Sequence, residues 1–296
     1  MTDIELINKV LKSKKPSDIF TSNWKKEYIG YSKLIHPDYC NKDKAGDAMA
    51  TLNTYKAEIS FGVKGTDDSG DYKRFSNRIV YHVNEDNEKL LKKSVENYTK
   101  LKKKAVGNFA NFAGYLPHSM KFVGDQLIVV FNNEHRAIPV VGLKLPQTHV
   151  NWVFSRMFEF CLFVRGVGFS HMGINPETIF IVPESHGIQC TSFYHLTPLT
   201  NKAKTFSSRY KNWYPTTLFT EKKATGDIDL ELSKKIAISL LGDVSGAGTK
   251  LRRVAEVNND ILTFLIGKHD GDFNDYDKYR KIVTTHFENK FYTLNI

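Results

Sequence analysis

The sequence predicts an α+β chain in which an all-helical N-terminal hairpin precedes a two-lobed segment, strand-rich first and mainly helical after. Three observations carry this. Within residues 1–62 apolar residues recur at helical spacing. Runs of β-branched and apolar residues, separated by turn formers, occupy the middle of the chain. From Thr148 onward the apolar spacing turns helical again.

The first helix, Ile4 to Leu11, is stopped by the run ending at Pro16. Thr21 or Ser22 offers an N-cap for the second. There Trp24, Tyr28, Tyr31 and Ile35 form one apolar stripe. Lys26 and Lys33 lie nearly opposite it and Lys25 to its side, so the exposed face is basic. A third helix, residues 44–60, repeats the spacing with Ala48, Leu52, Tyr55 and Ile59, and the two should pack antiparallel. The loop between them carries His36-Pro37-Asp38. Pro37 bars His36 from the α region, so the second helix must end there.

Residues 63–75, rich in glycine and aspartate, read as a linker or a loose hairpin, which divides the chain into 1–62 and 76–296. A strand over 77–83 follows, then a helix over 89–104 in which seven lysines accompany one acid, Glu96. Leu90, Leu91, Tyr98 and Leu101 share one side of that helix and most lysines the other. Residues 120–131 and 137–143 read as strands joined by a turn at Asn132-Asn133. A mostly buried helix then carries Trp152, Phe158, Cys161, Leu162 and Val164.

The net charge of +10 suits either a solvated basic helix face or nucleic-acid contact. Neither an aromatic-glycine RNA-binding fingerprint nor zinc-finger spacing accompanies it. The three cysteines are too few and too scattered for a disulfide framework or a zinc site, which suggests a reducing compartment. The acidic start carries no signal-peptide pattern, and the most apolar window, 157–169, is interrupted by Glu159 and Arg165 and too short to span a bilayer. A cytoplasmic protein without membrane contact, metal or cofactor is expected.

The stretch Tyr31-Ser32-Lys33-Leu34-Ile35-His36-Pro37-Asp38, set between two helices and preceded by a basic face, resembles the J-domain family. The resemblance implies that residues 1–62 dock on a DnaK-type chaperone ATPase and stimulate its ATP hydrolysis. His36, Pro37 and Asp38 would make the contact, with Asp38 pairing to a partner arginine. Lys25, Lys26 and Lys33 would steer the approach to an acidic surface. One departure is Tyr39-Cys40-Asn41, where the family commonly has a basic residue.

Residues 76–296 resemble a protein kinase in the order of their parts, most closely at His171-Met172-Gly173-Ile174-Asn175-Pro176-Glu177-Thr178, the place of the catalytic loop. Thr191-Ser192-Phe193-Tyr194 falls where the metal-binding Asp-Phe-Gly triplet belongs. Gly173 stands at the catalytic aspartate position, Thr178 at the metal-binding asparagine, Ser192 at the metal-binding aspartate and His82 at the phosphate-binding lysine. His171 reads as a satisfied buried side chain. Glu96 is either a remnant of the family's helix glutamate or a solvent-side partner of Lys92 and Lys100. Phosphoryl transfer needs the missing groups, so the resemblance implies a pseudokinase.

The expected function is a non-enzymatic co-chaperone or adaptor whose kinase-like part holds a protein client. An atypical phosphotransferase using Asn175, Glu177 or Glu184, and a basic nucleic-acid-associated protein, are the alternatives.

Overall fold

The computed structural model describes residues 1–14, 16–21, 23–75, 77–131 and 137–294. The chain is a mixed α+β fold, about half helical, with antiparallel sheets. Among the described residues, no helix is long and apolar enough to cross a membrane.

Three helices open the chain, α1 (Asp3–Lys12), α2 (Trp24–Ile35) and α3 (Ala45–Phe61). A capping box between Thr2 and Glu5 starts α1. Helix α2 begins after Asn23, and Thr21 gives its backbone N–H and hydroxyl to the Glu27 carboxylate instead of capping the helix. The alternative cap, Ser22, lies outside the described residues. Leu6, Ile7, Val10, Ile35, Ala48, Leu52 and Tyr55 are buried in one small core, with Trp24, Tyr28, Tyr31 and Ile59 packed against it. The Tyr28 hydroxyl donates to Asn53 Oδ1 at 2.7 Å, joining α2 to α3.

Of the two expectations for residues 63–75, a linker or a loose hairpin, the hairpin is what the chain adopts. It consists of β1 (Val63–Asp67) and β2 (Gly70–Arg74), in register from Val63 opposite Arg74 to Asp67 opposite Gly70. Strand β2 pairs with β3 (Arg78–His82), and β4 (Ser119–Val123) and β5 (Gln126–Val130) complete a sheet of order β1-β2-β3-β5-β4. The physical reason is burial: Tyr72 and Arg74 alternate inward on β2, and Tyr72 packs edge-on to Tyr81 of β3 at 5.4 Å. Gly65 permits this, because a Cβ there would sit 2.4 Å from the Tyr72 ring.

Helix α4 (Glu88–Lys104) lies between β3 and β4 in the chain, with Leu91, Ser94, Asn97, Tyr98 and Leu101 buried. Residues 120–131, expected as one strand, turn at Gly124, whose φ of 59° suits glycine, and so become β4 and β5. The expected turn at Asn132-Asn133 lies outside the described residues. The strand expected over 137–143 shrinks to β6 (Ile138–Pro139), which pairs with β8 (Ile179–Val182).

Helix α5 (Gln147–Gly166) is buried on most sides. It is followed by β7 (Phe169–Ser170), β8, β9 (Gly187–Cys190) and β10 (Thr197–Pro198). The remaining helices are α6 (Thr216–Glu221), α7 (Gly226–Leu240), α8 (Asn259–Ile266) and α9 (Phe273–His286). One large core runs from Tyr72 to Leu294, distinct from the core of the first three helices.

Candidate functional site

Two places hold most of the residues that the sequence singled out. The first is the α2–α3 loop. His36 is extended (φ −63°, ψ 132°), so α2 ends there. Its carbonyl accepts from the backbone N–H of Tyr39 at 3.0 Å and of Cys40 at 2.9 Å, and its Nδ1 accepts from the Asp38 N–H at 3.2 Å. The loop is thus a tight turn built around His36, anchored by the buried Cys40. Pro37 and Asp38 are exposed and His36 is partly so. Asp38 Oδ2 lies 3.5 Å from His36 Nδ1, and among the described residues its carboxylate makes no other ion pair.

Lys25, Lys26 and Lys33 are all exposed on α2. Sequence reasoning missed the apolar part of this surface: Ile29 is 56%, Leu34 39% and Tyr39 83% exposed. These residues sit outside the Trp24–Ile35 stripe, and that was the only available signal. Their position beside the lysines makes the surface mixed, basic and apolar, as protein-binding surfaces commonly are.

The second place is the loop 171–178 between β7 and β8. Asp229 of α7 accepts from the backbone N–H of His171 at 2.6 Å and of Met172 at 2.8 Å. The Tyr214 hydroxyl donates to the Met172 carbonyl at 2.6 Å. These bonds hold Met172 at φ 62°, a conformation a side chain rarely adopts. Burial lifts the Asp229 carboxyl to about 7 against the pull of its backbone donors.

His171 is buried, as expected. Its Nδ1 accepts from the Gly173 N–H at 3.2 Å, which leaves Nε2–H to donate to Cys190 Sγ at 3.1 Å. Burial and the neighbouring His195 drive its pKa down to about 3, so the ring is neutral. It packs between Phe160 and Phe193, with centroids 5.7 Å and 5.5 Å away.

Thr178 turns its hydroxyl to the Gly173 carbonyl at 3.0 Å and accepts from the Asn175 N–H at 3.2 Å, closing the loop on itself. Ser192 is buried, and its carbonyl accepts from the Cys190 thiol. Next to it Phe193 is gripped by α4: its N–H donates to Ser94 Oγ at 2.9 Å and its carbonyl accepts from Asn97 Nδ2 at 2.9 Å. Gly173, Thr178 and Ser192 therefore share one neighbourhood. His82 does not belong to it. Strand alternation points Tyr81 inward and leaves His82 on the outer face, paired with Asp125 at 3.1 Å.

The inward Tyr81 donates to Asp67 Oδ2 at 2.5 Å. Adjacent Asp68 reaches from the β1–β2 turn to His195 Nε2 at 3.1 Å and accepts from the Ser207 hydroxyl at 2.8 Å. Hydrogen bonds from His195 and Ser207 hold the Asp68 carboxyl below the usual range despite burial. Glu177 is buried against Arg209, and burial raises its pKa. The β1–β2 turn, the loop 171–178 and the segment 192–209 are thereby tied together by partly buried polar contacts.

Two other expectations are settled by placement. Glu96 lies on the exposed side of α4, but its partner is Lys93, at 3.4 Å, and not the expected Lys92 or Lys100; Lys92 goes to Glu88 at 2.7 Å. Glu184 lies past the far end of β8 from Thr178. Among the described residues no group of three or more His, Cys, Asp or Glu side chains is placed to hold a metal ion. No protein-family model matches the chain, and no curated protein matches it.

Proposed function

We propose that this chain is a co-chaperone or adaptor. Residues 1–62 act as a J-domain that recruits and stimulates a DnaK-type chaperone ATPase, and the remainder is a kinase-like scaffold without catalysis that binds a protein client. One observation carries the reading: His36-Pro37-Asp38 forms an exposed turn between two packed helices, beside exposed Lys25, Lys26 and Lys33. A carboxylate presented in this way suits a charge-assisted contact with a partner arginine.

The kinase-like, two-lobed reading of the rest is supported by the five-stranded sheet with α4 between β3 and β4, and by a loop 171–178 pinned from α7. Loss of catalysis is supported by the side chains present. Gly173, Thr178 and Ser192 supply no carboxylate or amide for metal or acceptor. Asn175 spends its amide on the Gly173 carbonyl and the Glu177 N–H, and Glu177 is engaged by Arg209. Lys89, Lys92, Lys93, Lys100, Lys103 and Lys104 lie on the solvent side of α4 as a solubilising face, whereas the half-buried Lys102 donates to the Pro117 and His118 carbonyls.

The test is the steady-state ATPase rate of a DnaK-type chaperone with the full-length chain. Stimulation that is abolished by His36→Gln and by Asp38→Asn, with circular dichroism unchanged, is the expected result. Equal stimulation by all three proteins would overturn the reading.

A further inference from the structure

Helix α4 and residues 194–205 border a cavity of about 460 Å³ that includes no residue of the loop 171–178 or of the first three helices. Its walls are mostly apolar or hydroxyl-bearing, with Tyr194, the buried Leu196, Pro198 and Thr205 among them. Among the described residues none that lines it carries a carboxylate, whereas Lys93, Lys202 and Lys204 all do line it. Lys93 has its own counter-charge in Glu96, at 3.4 Å.

The other two lysines belong to a cluster that the fold assembles and does not balance. Residues 200–203 run against residues 222–224, which follow α6. The Ala203 N–H donates to the Lys222 carbonyl at 2.8 Å, and the Ala224 N–H donates to the Asn201 carbonyl at 2.9 Å. This pairing sets Lys202 directly opposite Lys223. Like charges placed directly opposite one another repel. Lys202, Lys204, Lys222 and Lys223 are exposed, and among the described residues none of them makes an ion pair, not even with the adjacent Glu221. Cations are thus gathered beside an apolar-walled cavity with no carboxylate of this chain to answer them.

We infer that this surface docks an acidic segment of a protein partner, whose carboxylates meet Lys202, Lys204 and Lys223 while one of its apolar side chains enters the cavity. The inference gives the client-binding part of the function proposed above a surface and a chemistry, and it rests on that reading in taking the occupant to be a protein. A nucleic-acid strand suits the surface less. Single-strand binding uses cations along a track and successive rings for the bases. Here the cations cluster beside one cavity, and among the described residues its only rings are Tyr194 and His195, the latter bonded to Asp68.

The experiment follows fluorescence anisotropy as the full-length chain, without any chaperone, is titrated into a labelled peptide with glutamates on both sides of a single leucine. Saturable binding that weakens with added salt is expected. Lys202→Glu with Lys204→Glu, both at exposed positions, should weaken it roughly tenfold with circular dichroism unchanged. The same charge change at Lys64 and Lys73, exposed on the β1–β2 hairpin, should leave it near the wild-type value. Replacing the leucine of the peptide by serine should cost roughly tenfold as well, because the cavity then goes unfilled. No binding, or an equal loss in the two double variants, would overturn the inference. So would a thymidine oligonucleotide that binds more tightly than the peptide and displaces it, since the surface would then be a nucleic-acid site. Failed peptide binding with intact ATPase stimulation counts against this surface alone, and failed stimulation with intact binding counts against the J-domain reading alone.

Discussion

Gly173 and His195 compete for one volume: a Cβ added to Gly173 would lie 2.8 Å from Cδ2 of His195. His195 is itself fixed by Asp68, so it has little room to withdraw. In the kinase-like reading proposed above, Gly173 stands at the position of the catalytic aspartate, and the space a side chain there would need is held by the His195 imidazole.

Gly173→Asp should therefore lower stability, by about 1–3 kcal/mol as for other overpacking changes. Adding His195→Ala should recover part of the loss, because the two sites are in contact. Urea denaturation of the four proteins in the cycle reads this out, and strict additivity would contradict the shared volume.

Lys26→Glu and Lys33→Glu should slow association with a DnaK-type chaperone, more at low salt than at high salt. Both positions are exposed, so folding stability should move by no more than about 0.5 kcal/mol. Stopped-flow association across ionic strength is the measurement. A loss independent of salt would mean that the lysines do not act by steering.

Stability should also depend on pH through Asp67. Burial raises its carboxyl to about 7 from the ordinary 3.8, against the hydrogen bonds from Tyr81 and Ser69. The folded chain thus keeps a proton that the unfolded chain releases above about pH 4. This contribution is fully present below the unfolded value and is lost as pH rises through the folded one. Asp67→Asn, neutral throughout, should gain on the wild type between about pH 5 and pH 8 in paired denaturation curves. Parallel curves would rule out a titrating Asp67.

Removing the grip of α4 on Phe193 should destabilise the fold. Ser94→Ala leaves a buried N–H unpaired and Asn97→Ala leaves a buried carbonyl short of a donor, each at about 1–3 kcal/mol. Thermal unfolding of the single and double variants tests this, and near-neutral singles would show that the contacts are dispensable.

Phosphoryl transfer should be at background with labelled ATP, magnesium or manganese and a mixed substrate panel. One lost electrostatic contact already costs about a hundredfold in rate, and Gly173, Thr178 and Ser192 would act as one unit. Incorporation that vanishes in Glu177→Ala would reveal a relocated active site.

The helical hairpin was legible because its signals are local. The spacing of Trp24, Tyr28, Tyr31 and Ile35 specifies which face packs, and Pro37 ends α2 through its own ring. The buried nature of α5 was legible too, since apolar residues surround it. Local signals failed where neighbours decide. Residues 63–75 read equally as a linker or a loose hairpin until β3 supplies a partner for β2 and a place for Tyr72. At the end of β3, Tyr81 and His82 differ by one position, and only the side on which the core lies determines which of them faces inward.

By itself, the sequence determined the exposed His36-Pro37-Asp38 turn, the basic face of α2 and the absence of carboxylates at Gly173, Thr178 and Ser192. These are properties of residue identity and of backbone geometry over a few bonds. Tertiary structure alone decided that Asp68 would meet His195, 127 positions away, and Ser207, 139 positions away. It likewise decided that Asp229 would hold His171 and Met172, and that Asn97 would hold Phe193. A buried polar group must find a partner wherever the folded chain brings one, and nothing in its immediate sequence says which partner that will be.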